Sequence, residues 1–272
     1  MNPDHAQSVV ARCLTDPEFL LRAHDRSLSE LSSEGTAEDI AAEMLGNSEL
    51  ERLLRFRGFI TKVKHNALRR RIPATLGLMG GLGVELLFFC NFSQAYVSAR
   101  REGPLDERTH LDLFSEALSG FLSEQPEQIA TPVAETFAHE LLLFDLGRTP
   151  PAITETEHMR WQGAMSLVPK TTDIIRISGR LGARDFTPLD VVVRRHTLCY
   201  WRPENRDSVS IFEVDALTAA VFVALRAGGG PEETRRMLAE ARLSQISPEE
   251  LRAAAVAAAR RGFVELRGEW LR

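Results

Sequence analysis

The strongest constraint on the fold lies in the last eighty or so residues, where strand and helix signals follow one another in a fixed order. Val191, Val192, Val193, Leu198 and Tyr200 predict a strand over 190–201, and Arg202-Pro203-Glu204-Asn205-Arg206-Asp207 predicts the turn that ends it. A second strand is expected at 208–214. Asp215 then caps a helix that carries Leu217, Ala220, Val221, Ala224 and Leu225 at helical spacing. Gly228, Gly229 and Gly230 stop it, and Pro231 opens another with Met237, Leu238 and Ala241. The third helix starts at Ser247-Pro248-Glu249-Glu250, where a capping box coincides with proline at the first helical position. It is rich in alanine through Ala259 and stops at Gly262, after which 263–266 returns as a short strand.

The first half reads differently. Helix starts recur from about residue 17 to 148, and their apolar stripes suit a bundle core. Thr36 with Asp39 opens one helix, carrying Ile40, Ala41, Met44 and Leu45. Pro104, Asp106 and Glu107 open another with Leu111, Phe114, Leu118 and Phe121, and Thr131 with Pro132 opens a third with Phe137, Leu141 and Leu142. Residues 72–90 carry Glu85 as their one charge, a length that meets the requirement for a membrane span. Pro73, Gly77, Gly80, Gly81 and Gly83 lower the apolar content, and Glu85 is costly in lipid, so a buried central helix is expected instead. The same glycines lack the GK[ST] and GxGxxG patterns of a phosphate loop and suit close helix packing. Pro150 and Pro151 then lead into a loop-rich passage, with strand-like character at 173–178.

The 272 residues are 44% hydrophobic and 26% charged, which excludes disorder as the main state, and a net charge of −5 excludes a global basic field for nonspecific nucleic-acid binding. Cys13, Cys90 and Cys199 share no CxxC spacing, and the first residues carry no signal-peptide pattern, so a reducing cytoplasm is expected. Charge is uneven: eight basic residues between 51 and 72 oppose Glu51 alone, whereas ten acids in the first fifty residues oppose three arginines. The basic helix is either solvated, or paired with acids inside the fold, or a docking face for an acidic partner. His65, His110 and His139 fall on separate helices without HExxH or HxH spacing, so no metal site is expected in this chain. No GxSxG or nucleophilic-cysteine motif occurs, and no catalytic residue is assigned.

The C-terminal order resembles the PqqD-like precursor-peptide recognition domain. The residues that carry the likeness are Ile211-Phe212-Glu213-Val214-Asp215, the run from Ala219 to Leu225, and Arg261-Gly262-Phe263-Val264. That resemblance implies a winged-helix fold that captures the leader of a ribosomally made peptide. A second resemblance lies in Phe56-Arg57-Gly58-Phe59-Ile60-Thr61-Lys62-Val63-Lys64-His65-Asn66, Ile72-Pro73-Ala74-Thr75 and Gly83-Val84-Glu85-Leu86. It is to the accessory subunits of multinuclear iron oxidative enzymes of the methanobactin and 3-thiaglutamate pathways, the latter being closer. It implies a heterodimer in which a partner barrel enzyme carries the irons. For the thiaglutamate type, that partner excises a carbon from a peptide's C-terminal cysteine.

The expected fold class is thus α+β, mostly α: a helical bundle at 1–150, a linker and connecting strand region at 151–189, and a winged-helix domain at 190–272. Peptide capture is expected on Ser208, Val209, Ser210, Ile211, Phe212 and Glu213, because an exposed strand edge offers backbone groups to an added strand. Arg252, Ala255 and Ala259 on the third helix are expected to supply the wall of the groove. Lys62, Lys64, His65, Arg69, Arg70 and Arg71 are the candidate docking face for the iron enzyme. Two rival classes are a winged-helix DNA-binding regulator and an independent metalloenzyme built on His65, His110 and His139. The first is opposed by Glu249 and Glu250 at the start of the helix that would enter the major groove.

Overall fold

A computed structural model describes residues 65–182, 193–240 and 246–271, with Arg12, Cys13, Phe19, Phe59 and Val63. The fold is mixed α+β and mostly helical, with a five-stranded antiparallel sheet. The chain divides into two compact units, residues 1–137 with 176–190 and residues 138–175 with 191–272.

The first unit contains α1 (Asn66–Arg71), α2 (Pro73–Gly81), α3 (Glu85–Glu102), α4 (Glu107–Ser123) and the start of α5 (Glu127–Arg148). The single helix expected across 72–90 is instead broken between α2 and α3, which bend by 118°. The cause is Gly83, whose φ of +76° is left-handed. Its N–H donates to the Gly80 carbonyl and the Val84 N–H to the Met79 carbonyl, the paired bonds of a Schellman stop. Among the described residues no single helix is long and apolar enough to cross a membrane, although α2 and α3 together pass by length and composition. Gly77 has the tight-packing role expected, since a Cβ there would lie 3.2 Å from Leu181. Asp106 caps α4 as predicted, its carboxylate accepting from the Thr109 N–H at 2.7 Å, and Leu111, Phe114, Leu118 and Phe121 are buried. Phe88 stands at the centre of this core, with ring centroids 4.9 Å from Phe114 and 5.5 Å from Phe92 and Phe121. The helix expected to begin at Thr131 and Pro132 begins a turn earlier, at Glu127, where the Pro126 carbonyl accepts the Ile129 and Ala130 N–H groups. Pro132 lies inside its second turn, where a missing N–H costs one hydrogen bond. The segment opened by Thr36 and Asp39 lies outside the described residues.

The second unit is built on β1 (Ile153–Glu155), β2 (Met159–Thr172), β3 (Val193–Pro203), β4 (Ser210–Val214) and β5 (Val264–Leu266). The order is β1-β2-β3-β4, with β5 also on β2. The passage expected to be loop-rich therefore holds the longest strand of the sheet. Its alternation puts Trp161 and Met165 on one face and Ala164 and Val168 on the other. The strand-like run at 173–178 is instead the start of α6 (Ile174–Gly182), where Ile174 and Ile177 are buried and Ile175 is exposed, a helical rather than alternating pattern. Residues 138–175 pack with 191–272 in this unit.

One face of the sheet meets α7 (Ala216–Arg226), α8 (Pro231–Glu240) and α9 (Pro248–Arg260) through Trp161, Trp201, Phe222, Leu238, Ala255 and Phe263. The other meets the last turns of α5 through Leu142, Leu143 and Leu146. Asp215 and Ser247 cap α7 and α9 as predicted, the latter in a complete capping box. Gly163 lies where the Trp201 ring crosses β2: a Cβ there would overlap the Arg202 carbonyl and stand 2.6 Å from the Trp201 ring. Gly163→Ala is therefore expected to lower the unfolding free energy by about 2–3 kcal/mol through overpacking, measured by urea denaturation; an unchanged midpoint contradicts this packing.

Candidate functional site

The backbone of the site is β4, which pairs with β3 from Trp201↔Ser210 to Thr197↔Val214. It ends the strand order, and among the described residues no strand pairs with its outer edge. An edge strand carries alternate N–H and C=O groups that point away from the sheet, so an extended chain can join as a further strand. Its side chains are divided between the faces. Phe212 packs on the three-helix side, 5.3 Å from the Phe263 ring, whereas Ile211 and Val209 pack on the α5 side. Glu213 is held by Arg194 on the neighbouring strand at 2.5 Å. At the other end of the groove wall, the Arg261 guanidinium stands 5.9 Å over Phe212, bringing the end of α9 to the strand edge. A cation and a half-buried ring thus lie beside unpaired backbone.

The expected site residues are distributed unevenly over this geometry. Ser210, Ile211, Phe212 and Glu213 lie on the edge strand, while Ser208 and Val209 precede it. Ala255 is fully buried in the core and closed to a ligand, because α9 turns Leu251, Ala255 and Ala258 inward. Ala259 is partly buried against the same core, and Arg252 is exposed along a different line of α9. Arg261, which does reach the strand, is read from the sequence only as part of the family likeness and not as a site residue; its place directly before Gly262 is the signal, since the helix must end there and turn back toward the sheet.

Behind the edge strand lies a polar pair that the sequence did not reveal. The Tyr200 hydroxyl and His139 Nδ1 are 2.7 Å apart, with both residues buried in the second unit. Burial, and then the charge of Lys170, hold the His139 imidazole down at about 4, so it is neutral at physiological pH. On the next position of the same strand, burial pushes the Cys199 thiol up to about 12, which removes it as a nucleophile. Arg202 donates to the carbonyls of Gly147 and Thr149 at the end of α5 and so fixes that helix to β3.

The candidate docking face is largely committed within the first unit. Arg69 pairs with buried Glu85, and Arg71 pairs with Glu107. His65 is buried among aromatic rings, 5.5 Å from Phe89 and 4.3 Å from Tyr96, and is not a surface contact. Arg70 is exposed; Lys62 and Lys64 lie outside the described residues. Arg69 and Arg71 thus answer acids of α3 and α4, while the acidic N-terminal stretch considered from the sequence as their counterpart lies outside the described residues. His65 Nδ1 lies 3.2 Å from His110 Nε2, and burial followed by the Arg100 charge lowers the His110 pKa. His139 belongs to the other unit, and among the described residues no three His, Cys, Asp or Glu side chains converge to hold a metal ion.

No protein-family model matches this chain, and no curated protein matches it in sequence.

Two outcomes follow from this electrostatic arrangement. Below the ordinary histidine value of 6.5 the unfolded chain takes up a proton that the folded chain refuses until about 4, so stability falls as pH drops through that window. Between about pH 7 and about pH 5 the wild type is expected to lose about 2 kcal/mol more stability than His139→Gln; equal losses contradict a buried neutral imidazole. Arg69→Glu sets a second carboxylate beside buried Glu85 and is expected to cost about 2–3 kcal/mol, whereas Arg70→Glu leaves stability unchanged. Equal denaturation midpoints for the two variants contradict the internal pairing.

Proposed function

We propose that this chain is a non-catalytic accessory subunit that binds a ribosomally made precursor peptide along β4 and presents it to a separate iron-dependent oxidative enzyme. The observation that carries the reading is the edge strand, which is supported on both faces by packed side chains and unpaired on its outer side among the described residues. The peptide adds as an antiparallel or parallel strand, its main chain bonding to β4 and its side chains resting beside Phe212 and Arg261. Packing on both faces fixes the edge before the peptide arrives, which limits the ordering cost to the peptide.

The finer assignments rest on the resemblances described above. The second unit is read as a winged-helix module in which α7, α8 and α9 are the three helices and β4 is the receptor strand. The partner is read as the multinuclear iron enzyme of a cytoplasmic peptide-modifying pathway, with the oxidative chemistry belonging to it. Among the described part of the candidate docking helix, Arg70 is the exposed cation left for that partner.

Proline substitution along the edge tests peptide capture. Proline at Ser210, Ile211, Phe212 and Glu213, one at a time, removes either a bond to β3 or a bond to the added strand. Proline at the outward-pointing positions is expected to keep the fold, by circular dichroism, and to weaken binding of the co-encoded precursor peptide at least tenfold. Unaltered affinity in every folded proline variant contradicts strand addition.

A further inference from the structure

The helix pair α8 and α9 bears a second surface that shares only Arg261 with the peptide edge. Together with the 3-10 turn at Gly268–Leu271, these helices enclose a groove of about 800 Å³ within the second unit. Its floor is apolar, formed by Leu251, Val256 and Trp270, and its rim is dominated by arginine. Arg235, Arg252, Arg260 and Arg261 face Glu232 and Glu249, and Glu232 is already taken by Arg235. Arg252 and Arg260 are exposed and make no ion pair among the described residues. With Val256 between them at helical spacing of four, they form a line of cation, apolar contact and cation along α9.

We propose that this groove docks an acidic amphipathic segment of a partner protein. The segment's apolar side chains cover Val256 with Ala253 and Ala257 beside it, above the buried Trp270, and its carboxylates meet Arg252 and Arg260, where planar guanidinium groups favour paired hydrogen bonds. Protein carboxylates are favoured over nucleic-acid phosphates because the groove's other end carries Glu249, with Glu250 beside it at the start of α9. A duplex presents phosphates along the whole of such a helix, Glu249 and Glu250 included, whereas a short acidic segment can begin beyond them at Arg252 and run on to Arg260. Arg261 touches both this groove and the β4 edge, but the proposal uses Arg252, Val256 and Arg260, none of which reaches the peptide strand's Phe212, so it stands independently of peptide addition at β4.

The test uses the full chain and a fluorescein-labelled helical peptide of repeating leucine and glutamate, followed by fluorescence anisotropy. The wild type is expected to bind, with affinity falling as salt is raised. The double variant Arg252→Glu/Arg260→Glu is expected to weaken binding at least tenfold. Ala257→Trp, at an exposed groove position, fills the groove without changing its charge and is expected to do the same. Circular dichroism checks that each variant is folded. No binding by the wild type overturns the proposal, as does loss in the arginine variant with full binding by Ala257→Trp, which marks long-range attraction without docking. Tighter binding of a labelled DNA duplex than of the peptide also overturns it and assigns the arginines to phosphate.

Discussion

The close crossing of Trp201 over Gly163 is the contact on which the rest of the second unit depends. It is possible because position 163 has no side chain, and it brings β2 and β3 together at Gly163↔Pro203, the first pair of their long register. A slip of one residue would turn Trp201 and Cys199 to the α5 face and leave Tyr200 and Arg202 against the helices. The register is held from both sides. Trp201 lies 5.2 Å from Trp161 and 4.7 Å from Phe263 on one face, while Tyr200 bonds His139 and Arg202 caps α5 on the other. Once β3 is fixed in this way, β4 follows it into an edge position with its side chains already divided between two cores.

This organisation gives the strand edge two properties that suit a receptor. It is preorganised, because the aromatic seam and the polar pair act on its neighbour rather than on the groups a ligand needs. The buried titratable groups behind it are committed within the core as well: Cys199 is held protonated by burial, and His139 is buried with its Nδ1 committed to Tyr200. The same separation holds in the first unit, where Arg69 and Arg71 of α1 are spent on Glu85 and Glu107 and so bind that short helix to α3 and α4.

Much of the second unit was legible because its punctuation is local. Asp215, Pro231, the Ser247 capping box and Gly262 each act within a few residues, and the elements they delimit occur where the sequence places them. What escaped was non-local. β2 has tryptophan, glycine and proline in an uneven apolar pattern, and it becomes a strand because β1, β3 and β5 all pair with it. The break at Gly83 was hidden among four other helix-weakening residues, since composition marks a weak stretch without saying which residue turns left-handed. In the site, the edge strand was readable from its alternation and turn. The burial of Ala255 and the approach of Arg261 to Phe212 depend on how α9 is rotated, which an alanine-rich stripe does not fix.

The central claim is that β4 receives a peptide strand, and amide hydrogen exchange measures this most directly. With the co-encoded precursor peptide added to the intact chain, the account predicts slowed exchange at alternate amides of Ser210–Val214, the positions whose N–H groups point away from β3. A complex that forms while the exchange of those amides stays unchanged would contradict it.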